Sequence, residues 1–226
     1  MPNEDISSKH PNPLAVFSDF DGTISHPDTL NFLAESFGGK EFRREMGKKI
    51  ARGEVSLRDG ILEELAVIRG SFEEIMAYLK PRVEIDPGFA PFARWCEEKN
   101  IPLTVLSGGM KEVIEQLLEP LGLKNLKLLA NRLVIREGRW SLEFLDDTHW
   151  GHDKGVSIHK AHAAGYRTVF LGDGLSDRGA AENADLVFTK GSLAKFCDSL
   201  GIPHQPFTSF TEVQAYLANL ISQGFD

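Results

Sequence analysis

The sequence has few cysteines and no surplus of basic residues. Two cysteines among 226 residues are too few for a disulfide framework or a four-thiolate metal site. Lysine and arginine total 25 against 33 acidic residues, which gives a formal net charge of −8. The chain therefore lacks the basic character typical of nucleic-acid-binding proteins, and we expect no nucleic-acid partner. Hydrophobic residues at 42% and charged residues at 26% match ordinary globular domains and exclude low-complexity architectures.

Long apolar runs are also absent. None approaches the ~18 residues that a membrane span requires. The first residues, MPNEDISSKHPNP, contain no apolar secretory core. We therefore expect a cytoplasmic protein with no membrane partner. Residues 1–11 are expected to form a disordered lead. Cys96 and Cys197 are expected to be small buried hydrophobic side chains.

Short apolar runs alternate with helical stretches along most of the chain. The runs LAVFS, IPLTVLSGG, YRTVFLGDG and ADLVFT are typical of buried strands. This alternation predicts an α/β fold with a mostly parallel sheet covered by helices on both faces. The stretch LKLLANRLVIREGRWSLEF alternates around a Glu-Gly turn and predicts a β-hairpin.

After the first strand, a block of predicted helices without strands between them interrupts this alternation. Residues 28–84 show helical spacing of apolar residues, with Ser56 and Ser71 at expected helix N-caps. The length of the chain, against ~150 residues for a usual domain, predicts one sizeable domain with a smaller insert. We therefore expect a core over residues 12–27 and 85–224, with about four helices inserted over residues 28–84.

Polar side chains follow three of the predicted strands. Asp19 and Asp21 end the first, Ser107 ends the second, and Asp173 and Asp177 follow the third. In open α/β sheets, ligands bind beyond the carboxyl ends of the strands, so these groups should converge on one crevice. Like charges packed together are costly unless a cation compensates them, and Mg²⁺ prefers such oxygen ligands.

This group of residues suits phosphoryl transfer. An aspartate is ionised at neutral pH and can attack phosphorus to form an aspartyl-phosphate. Lys154, which precedes the third strand, could neutralise charge on the phosphoryl oxygens together with the cation. The D-x-D spacing provides a second carboxyl group that could protonate the leaving alcohol and then activate water.

Four motifs, in this order, resemble the signature of the haloacid dehalogenase-like hydrolase superfamily: FSDFDGT, VLSGG, DKG and LGDGLSD. They extend over essentially the whole folded chain. The resemblance implies a Rossmann-like, mostly parallel sheet and a hydrolase that acts on phosphate esters. The helical block between the first and second motifs, and the hairpin before the lysine, resemble the phosphoserine-phosphatase-like branch with its helical C1-type cap.

The resemblance also implies roles for individual residues. Asp19 matches the phosphorylated nucleophile and Asp21 the general acid/base. Ser107 and Lys154 match the phosphate-binding hydroxyl and ammonium groups, with the backbone of Gly108, Gly109 and Gly22 close to the phosphate. Mg²⁺ would be held by the Asp19 side chain, the Asp21 backbone carbonyl and the Asp173 side chain, with Asp177 in or next to the metal shell.

Several features bear on the substrate. The HDKG context is most similar to the subgroup that hydrolyses 2-hydroxy-3-keto-5-methylthiopentenyl-1-phosphate in methionine salvage, although the stretch LEFLDDTHWGH lacks that subgroup's cysteines. Phosphoserine phosphatases carry a cap arginine where the shared register places Glu64 here, and a carboxylate cannot bind the substrate's carboxylate. Asp28 matches their cap-proximal acid, and Arg58 or Arg69 could replace the arginine.

Alternatives remain open at this point. Asp28 and Glu64 would also suit an amino-alcohol phosphate such as phosphoethanolamine or phosphocholine. A phosphotransferase and a non-catalytic binding scaffold are different functional classes with the same fold, and the chain could be a monomer or a homodimer. We expect His149 and His152 to be partly exposed structural residues, and His159 and His162 to lie on a solvated helix face.

Overall fold

The computed structural model describes residues 13–123 and 125–223, so the predicted disordered lead lies outside the described residues. Within that range the strands are β1 (Leu14–Ser18), β2 (Ser25–His26), β3 (Glu84–Ile85), β4 (Leu103–Met110), β5 (Lys127–Arg136), β6 (Arg139–Glu143), β7 (Arg167–Gly172), β8 (Leu186–Thr189) and β9 (Gln205–Pro206). The α-helices are α1 (Thr29–Gly38), α2 (Lys40–Ala51), α3 (Leu57–Leu65), α4 (Phe72–Leu79), α5 (Phe89–Glu98), α6 (Lys111–Leu118), α7 (Lys154–Ala163), α8 (Arg178–Ala181), α9 (Gly191–Leu200) and α10 (Phe210–Ser222).

The main sheet of the described chain has seven strands in the order β6-β5-β4-β1-β7-β8-β9. Neighbouring strands are parallel except β5 and β6, which form the predicted antiparallel hairpin. This confirms the predicted α/β class and its mostly parallel sheet. Strand β1 lies at the centre, between β4 and β7, so the predicted site residues at its carboxyl end adjoin those of both neighbours.

Strand β1 is buried on both faces, which explains its uninterrupted apolar sequence. Leu14 and Val16 join the hydrophobic cluster formed with α5, α6 and α10. Ala15 and Phe17 join a second cluster with α7, α8 and α9 on the other face. Helices therefore cover both faces of the sheet, as the sequence pattern predicts. The two cysteines are buried in these clusters, Cys96 in the first and Cys197 in the second.

Helices α1 to α4 form what we call the helical segment, Thr29–Leu79. It is connected to the sheet domain next to a short antiparallel pairing of β2 with β3. At another point it contacts the β5–β6 hairpin, where the Trp140 Nε1–H donates to the Gly70 carbonyl at 3.0 Å and the Trp140 ring stacks on Phe72. The four helices match the predicted helical block, whereas the division into domains stays a prediction.

Strand β4 differs from its prediction. The sequence predicts that this strand ends at Ser107, but it continues to Met110 with an irregular register to β5. At this end of β4, side chains take over backbone hydrogen bonds that a regular strand pair would form. The Asn131 amide donates to the Gly108 carbonyl at 2.8 Å, and Ser107 Oγ accepts from the Gly109 N–H at 2.9 Å.

The N-terminus of α4 has the predicted serine cap in the form of a capping box. Ser71 Oγ accepts from the Glu74 N–H, and the Glu74 carboxylate accepts from the Ser71 N–H at 2.8 Å. We expect Ser71→Ala to lower the free energy of unfolding by ~1 kcal/mol, measured by urea denaturation. Ser222→Ala, at an exposed helical serine, is the control and should stay within ~0.5 kcal/mol of the wild type. Equal stability of the Ser71→Ala variant would contradict the cap.

Candidate active site

Asp19 lies where the chain leaves the carboxyl edge of the sheet directly after β1. Its backbone N–H donates to the Leu171 carbonyl of β7 at 2.8 Å, which continues the strand pairing. The residue is only 4% exposed. Its Oδ1 accepts a hydrogen bond from Lys154 Nζ at 2.5 Å, although 135 residues separate the two positions. The fold thus brings the predicted nucleophile and the predicted lysine into contact.

Lys154 is the first residue of α7, and its side chain is completely buried. The ammonium donates to Asp177 Oδ1 at 2.6 Å as well as to Asp19. Burial alone lowers the pKa of a lysine, but the carboxylates of Asp177 and Asp19 outweigh it and raise the pKa of Lys154 above its ordinary value. The lysine therefore stays charged and can hold anionic oxygens on this side of the crevice.

Asp177 holds both the lysine and the loop after β7. Its Oδ1 accepts from Lys154, and its Oδ2 accepts from the backbone N–H groups of Asp173 at 2.8 Å and Gly174 at 2.9 Å. These bonds occupy both oxygens of a fully buried side chain. Asp177 thereby fixes the loop that presents the Asp173 carboxylate.

The carboxylates of Asp19, Asp173 and Asp177 each offer an oxygen within 4.8 Å of the others. Three carboxylates and the Lys154 ammonium leave two negative charges, which one divalent cation would neutralise. Burial, followed by the charge of Asp177, raises the pKa of Asp173 to about 7 and the pKa of Asp19 above its ordinary value. An all-oxygen set with this uncompensated charge fits a hard cation such as Mg²⁺.

Asp21 is oriented by the first turn of the helical segment. Its Oδ1 accepts from the backbone N–H of Thr29 at 2.8 Å and from the Thr29 hydroxyl at 2.6 Å. Its Oδ2 points towards Ser107, whose hydroxyl donates to it at 3.4 Å. Burial raises the pKa of Asp21, against the lowering effect of the Thr29 bonds. Thr29 was not predicted from the sequence, because nothing in its local pattern marks a contact with the D-x-D motif.

Ser107 faces the crevice from β4 and is held from behind by a histidine. His152 Nδ1 lies 3.0 Å from the Ser107 carbonyl oxygen, and because a carbonyl only accepts, Nδ1 carries the proton. His152 is 5% exposed, so the prediction of a partly exposed histidine was wrong at this position. The stretch before Lys154 turns inwards here, and the ring packs under β4.

The other predicted histidines lie away from the crevice. His149 is exposed and contacts Trp150, and His159 is exposed on α7. His162 is half-buried, and its Nε2 lies 2.9 Å from both Asp185 Oδ2 and the Thr168 hydroxyl. His162 therefore connects α7 to the start of β7, in contrast to the predicted solvated position.

A crevice of about 480 Å³ opens between the sheet edge and the helical segment. The carboxylates of Asp19, Asp21 and Asp173 and the Ser107–Gly109 stretch line its sheet side. On the opposite side the lining residues are partly polar and partly apolar: Asp28, directly before the helical segment, and Leu30, Asn31, Arg43, Gly47, Ile50, Ala51, Leu57, Ile61 and Glu64 of the segment itself. The crevice therefore presents carboxylates on its sheet side and a mixture of charged and apolar side chains on the other.

The two acids predicted in the helical block of residues 28–84 both reach this crevice. Asp28 caps α1 and accepts from the backbone and the side-chain amide of Asn31 at 2.8 and 2.7 Å. Burial and then the charge of Asp21 raise the pKa of Asp28 to about 8. Glu64 is 3% exposed and lies 3.4 Å from Arg43 Nη1 of α2.

Arg43 was missed in the sequence, and neither alternative arginine takes its place. Arg58 donates to the Asp146 carbonyl and covers the Phe144 ring. Arg69 donates to the carbonyls of Ala66 and Ile68 at the end of α3. Arg43 lies in the basic run EFRREMGKKIAR, and such a charged run by itself favours a solvated helix face.

Comparison with known proteins agrees with this geometry. The family model of the haloacid dehalogenase-like hydrolases matches residues 16–182, a range that includes Asp19, Ser107, Lys154 and Asp177. The chain belongs to the haloacid dehalogenase-like hydrolase family. The predicted family is thereby confirmed.

Curated relatives cover nearly the whole chain. Pdp3-interacting factor 1 of Schizosaccharomyces pombe is 33% identical over 92% of this chain and 96% of its own length. The polyol phosphate phosphatase PYP1 of Saccharomyces cerevisiae is 30% identical over 92% and 93% of the two chains. A 2-hydroxy-3-keto-5-methylthiopentenyl-1-phosphate phosphatase of Bacillus cereus is 31% identical over 92% and 97%. This haloacid dehalogenase-like hydrolase is thus a phosphatase.

Solved structures show the same fold. A substrate-bound phosphoserine phosphatase aligns over 91% of this chain and 98% of its own, with a TM-score of 0.69 and 20% identity. A phosphoserine phosphatase carrying an analogue of the phospho-aspartyl intermediate aligns with a TM-score of 0.68 and 19% identity over 94% and 98%. In the part of this hydrolase that the structure describes, no helix has the length and apolarity to cross a membrane.

Gly22 leaves the space that the Asp173 carboxylate occupies. A Cβ at Gly22 would lie 2.4 Å from Asp173 Oδ2, and its φ of +79° is also unfavourable for other residues. We expect Gly22→Ala to displace Asp173 and lower kcat/KM for para-nitrophenyl phosphate by at least ~10-fold. Gly53→Ala is the matched control, because Gly53 has a φ of +71° but its Cβ would meet no described atom within 4 Å. Equal losses in both variants would contradict the steric argument.

Burial lowers the pKa of His152, and the bond to the Ser107 carbonyl only partly opposes this. The folded state therefore favours the neutral ring, and its stabilising contribution is present above the unfolded pKa of ~6.5 and is lost as the pH falls. We expect the stability difference between the wild type and His152→Gln, measured by urea denaturation, to shrink between pH 7.5 and pH 5. A constant difference would disprove the neutral ring, and His159→Gln serves as the exposed control.

Proposed function

We propose that this chain is a magnesium-dependent phosphomonoesterase that hydrolyses a small phosphorylated metabolite through an aspartyl-phosphate on Asp19. The supporting observation is the contact of the buried Asp19 carboxylate with Lys154, at the end of a crevice lined by further carboxylates. A buried carboxylate held in this way has a fixed orientation and needs no base to activate it. The fold and family of the chain agree with this chemistry.

The oxygen ligands for the cation would come from the side chains of Asp19 and Asp173 and the backbone carbonyl of Asp21. Asp177 lies beside them within the same 4.8 Å cluster. Bound Mg²⁺ would supply positive charge that compensates the carboxylates and the phosphoryl oxygens. Lys154 would add further positive charge, because its ammonium is held between Asp19 and Asp177.

The phosphoryl group would be bound by the Ser107 hydroxyl, the Lys154 ammonium and the backbone of Gly108 and Gly109. A Cβ at Gly109 would lie 2.7 Å from Asp21 Oδ2, so the glycine lets the acid approach the phosphate-binding strand closely. His152 and Asn131 fix this strand through the carbonyls of Ser107 and Gly108. These bonds place the Ser107 hydroxyl before substrate arrives.

The reaction has two half-steps. An Asp19 oxygen attacks phosphorus while the bond to the leaving oxygen breaks, and Asp21 gives its proton to the departing alcohol. Asp21 then takes a proton from water, whose oxygen attacks phosphorus as the bond to Asp19 breaks, and inorganic phosphate is released. Burial favours the protonated form of Asp21 that the first step needs, and Thr29 keeps Oδ1 engaged so that Oδ2 faces the crevice.

We assign residues 28–84 as a C1-type cap on a core formed by residues 12–27 and 85–224. The helical segment supplies one wall of the crevice, and its closure would exclude bulk water from the phosphoryl group. The names of relatives suggest two substrates, 2-hydroxy-3-keto-5-methylthiopentenyl-1-phosphate and a polyol phosphate. Phosphoserine and amino-alcohol phosphates are the alternatives, and a cytoplasmic location and a monomeric or homodimeric state stay predictions.

The nucleophile is tested with Asp19→Asn. The amide cannot form the acyl-phosphate, so we expect hydrolysis of para-nitrophenyl phosphate in the presence of Mg²⁺ to fall by at least ~10³-fold. Asp198→Asn, at an exposed residue of α9, is the matched control and should retain activity. Wild-type turnover by Asp19→Asn, or full activity in excess chelator, would disprove the proposed function. Phosphate release that depends on an added acceptor alcohol would indicate a phosphotransferase instead.

A further inference from the structure

An ion pair lies in the wall of the crevice that the helical segment provides. Arg43 of α2 and Glu64 of α3 approach to 3.4 Å between Nη1 and Oε1. A quarter of the Arg43 side chain is exposed, whereas only 4% of the Glu64 side chain is. Within the described chain, neither Glu64 Oε1 nor Arg43 Nε has a hydrogen-bond partner. A buried carboxylate and a half-buried guanidinium therefore face each other without all of the hydrogen bonds that usually stabilise such groups.

Two glycines inside helices make room for this arrangement. A Cβ at Gly47 of α2 would lie 2.9 Å from Arg43 Nη1, and a Cβ at Gly60 of α3 would lie 2.5 Å from Ile50 Cδ1. Glycine inside a helix costs ~1 kcal/mol relative to alanine, so a helix interior usually avoids it. Here one glycine accommodates the guanidinium, and the other lets α2 and α3 approach closely.

The pair controls the charge that a leaving group encounters. Glu64 compensates the charge of Arg43, so a substrate carboxylate would meet an arginine that is already neutralised, close to the acid Asp28. A substrate ammonium group would find Glu64 paired with Arg43 and both Asp28 oxygens engaged by Asn31. A neutral hydroxyl group meets neither obstacle, because it can accept from the exposed part of the Arg43 guanidinium without bringing charge.

We propose that the Arg43–Glu64 pair selects phosphomonoesters whose alcohol carries neutral hydroxyl groups, such as polyol phosphates, and rejects those with a carboxylate. Arg43 contacts the leaving group, and Glu64 is a positioning residue that holds the guanidinium and cancels its charge. The apolar side chains of Ile50, Leu57 and Ile61 line the same crevice and would contact the carbon skeleton of the leaving group. This specificity rests on the proposed function.

The experiment compares kcat/KM for glycerol 3-phosphate, phosphoserine, phosphoethanolamine and para-nitrophenyl phosphate with Mg²⁺ present. We expect the wild type to prefer glycerol 3-phosphate over phosphoserine and phosphoethanolamine by at least ~10-fold. Glu64→Gln removes the compensating charge and should raise the ratio of phosphoserine to glycerol 3-phosphate by ~10-fold. Glu63→Gln, the same change at the exposed neighbouring residue of α3, should leave that ratio at the wild-type value.

Arg43→Gln provides a second variant. The Arg43 side chain is more exposed than that of Glu64, so its replacement should destabilise the folded state less. It should raise KM for glycerol 3-phosphate by ~10-fold relative to para-nitrophenyl phosphate, which has no further hydroxyl group to bind. A wild type that prefers phosphoserine, or an unchanged substrate ratio in Glu64→Gln, would overturn the specificity. Both results would leave the proposed phosphatase function standing. A wild type that does not hydrolyse para-nitrophenyl phosphate would instead refute that function.

Discussion

The contact of one buried ammonium with two carboxylates holds the site together. Lys154 enters from the start of α7 and donates to Asp19 after β1 and to Asp177 after β7. Asp177 also accepts hydrogen bonds from the backbone of the Asp173 loop. The start of α7, the residue after β1 and the loop after β7 are therefore joined by one network of charged hydrogen bonds. Removing one partner of such a buried group leaves the other uncompensated, at a cost of ~3–5 kcal/mol. The nucleophile, the phosphate-binding cation and the metal-facing loop are thus positioned by the same bonds.

Much of the fold and of the sheet side of the site could be predicted from the sequence. Short apolar runs buried on both faces of a parallel sheet leave a strong pattern, and the polar residues that end them mark the carboxyl edge. Asp19, Asp21, Ser107, Asp173 and Asp177 therefore came together as expected, and Lys154 joined them. The helical block and the hairpin were also recognisable, because Ser56 and Ser71 cap helices and a Glu-Gly turn joins β5 to β6.

What could not be predicted depends on contacts between distant segments. Arg43 lies in the basic run EFRREMGKKIAR, and its role depends on a partner on another helix. The burial of His152 depends on how the loop before α7 packs under β4. Asn131 left a visible signal, a buried amide in the apolar strand LKLLANRLV, but its partner, the Gly108 carbonyl, becomes evident only once the irregular end of β4 is seen.

The central position of β1 has a consequence for synthesis of the chain. The strand is synthesised before both of its neighbours, because Val16 pairs with Leu103 on one side and Leu14 with Arg167 on the other. Until then an apolar strand with two unpaired edges is exposed on the nascent polypeptide, a condition that favours misassociation. Such long-range pairing also slows folding, since the chain must close two long loops before β1 has both of its partners.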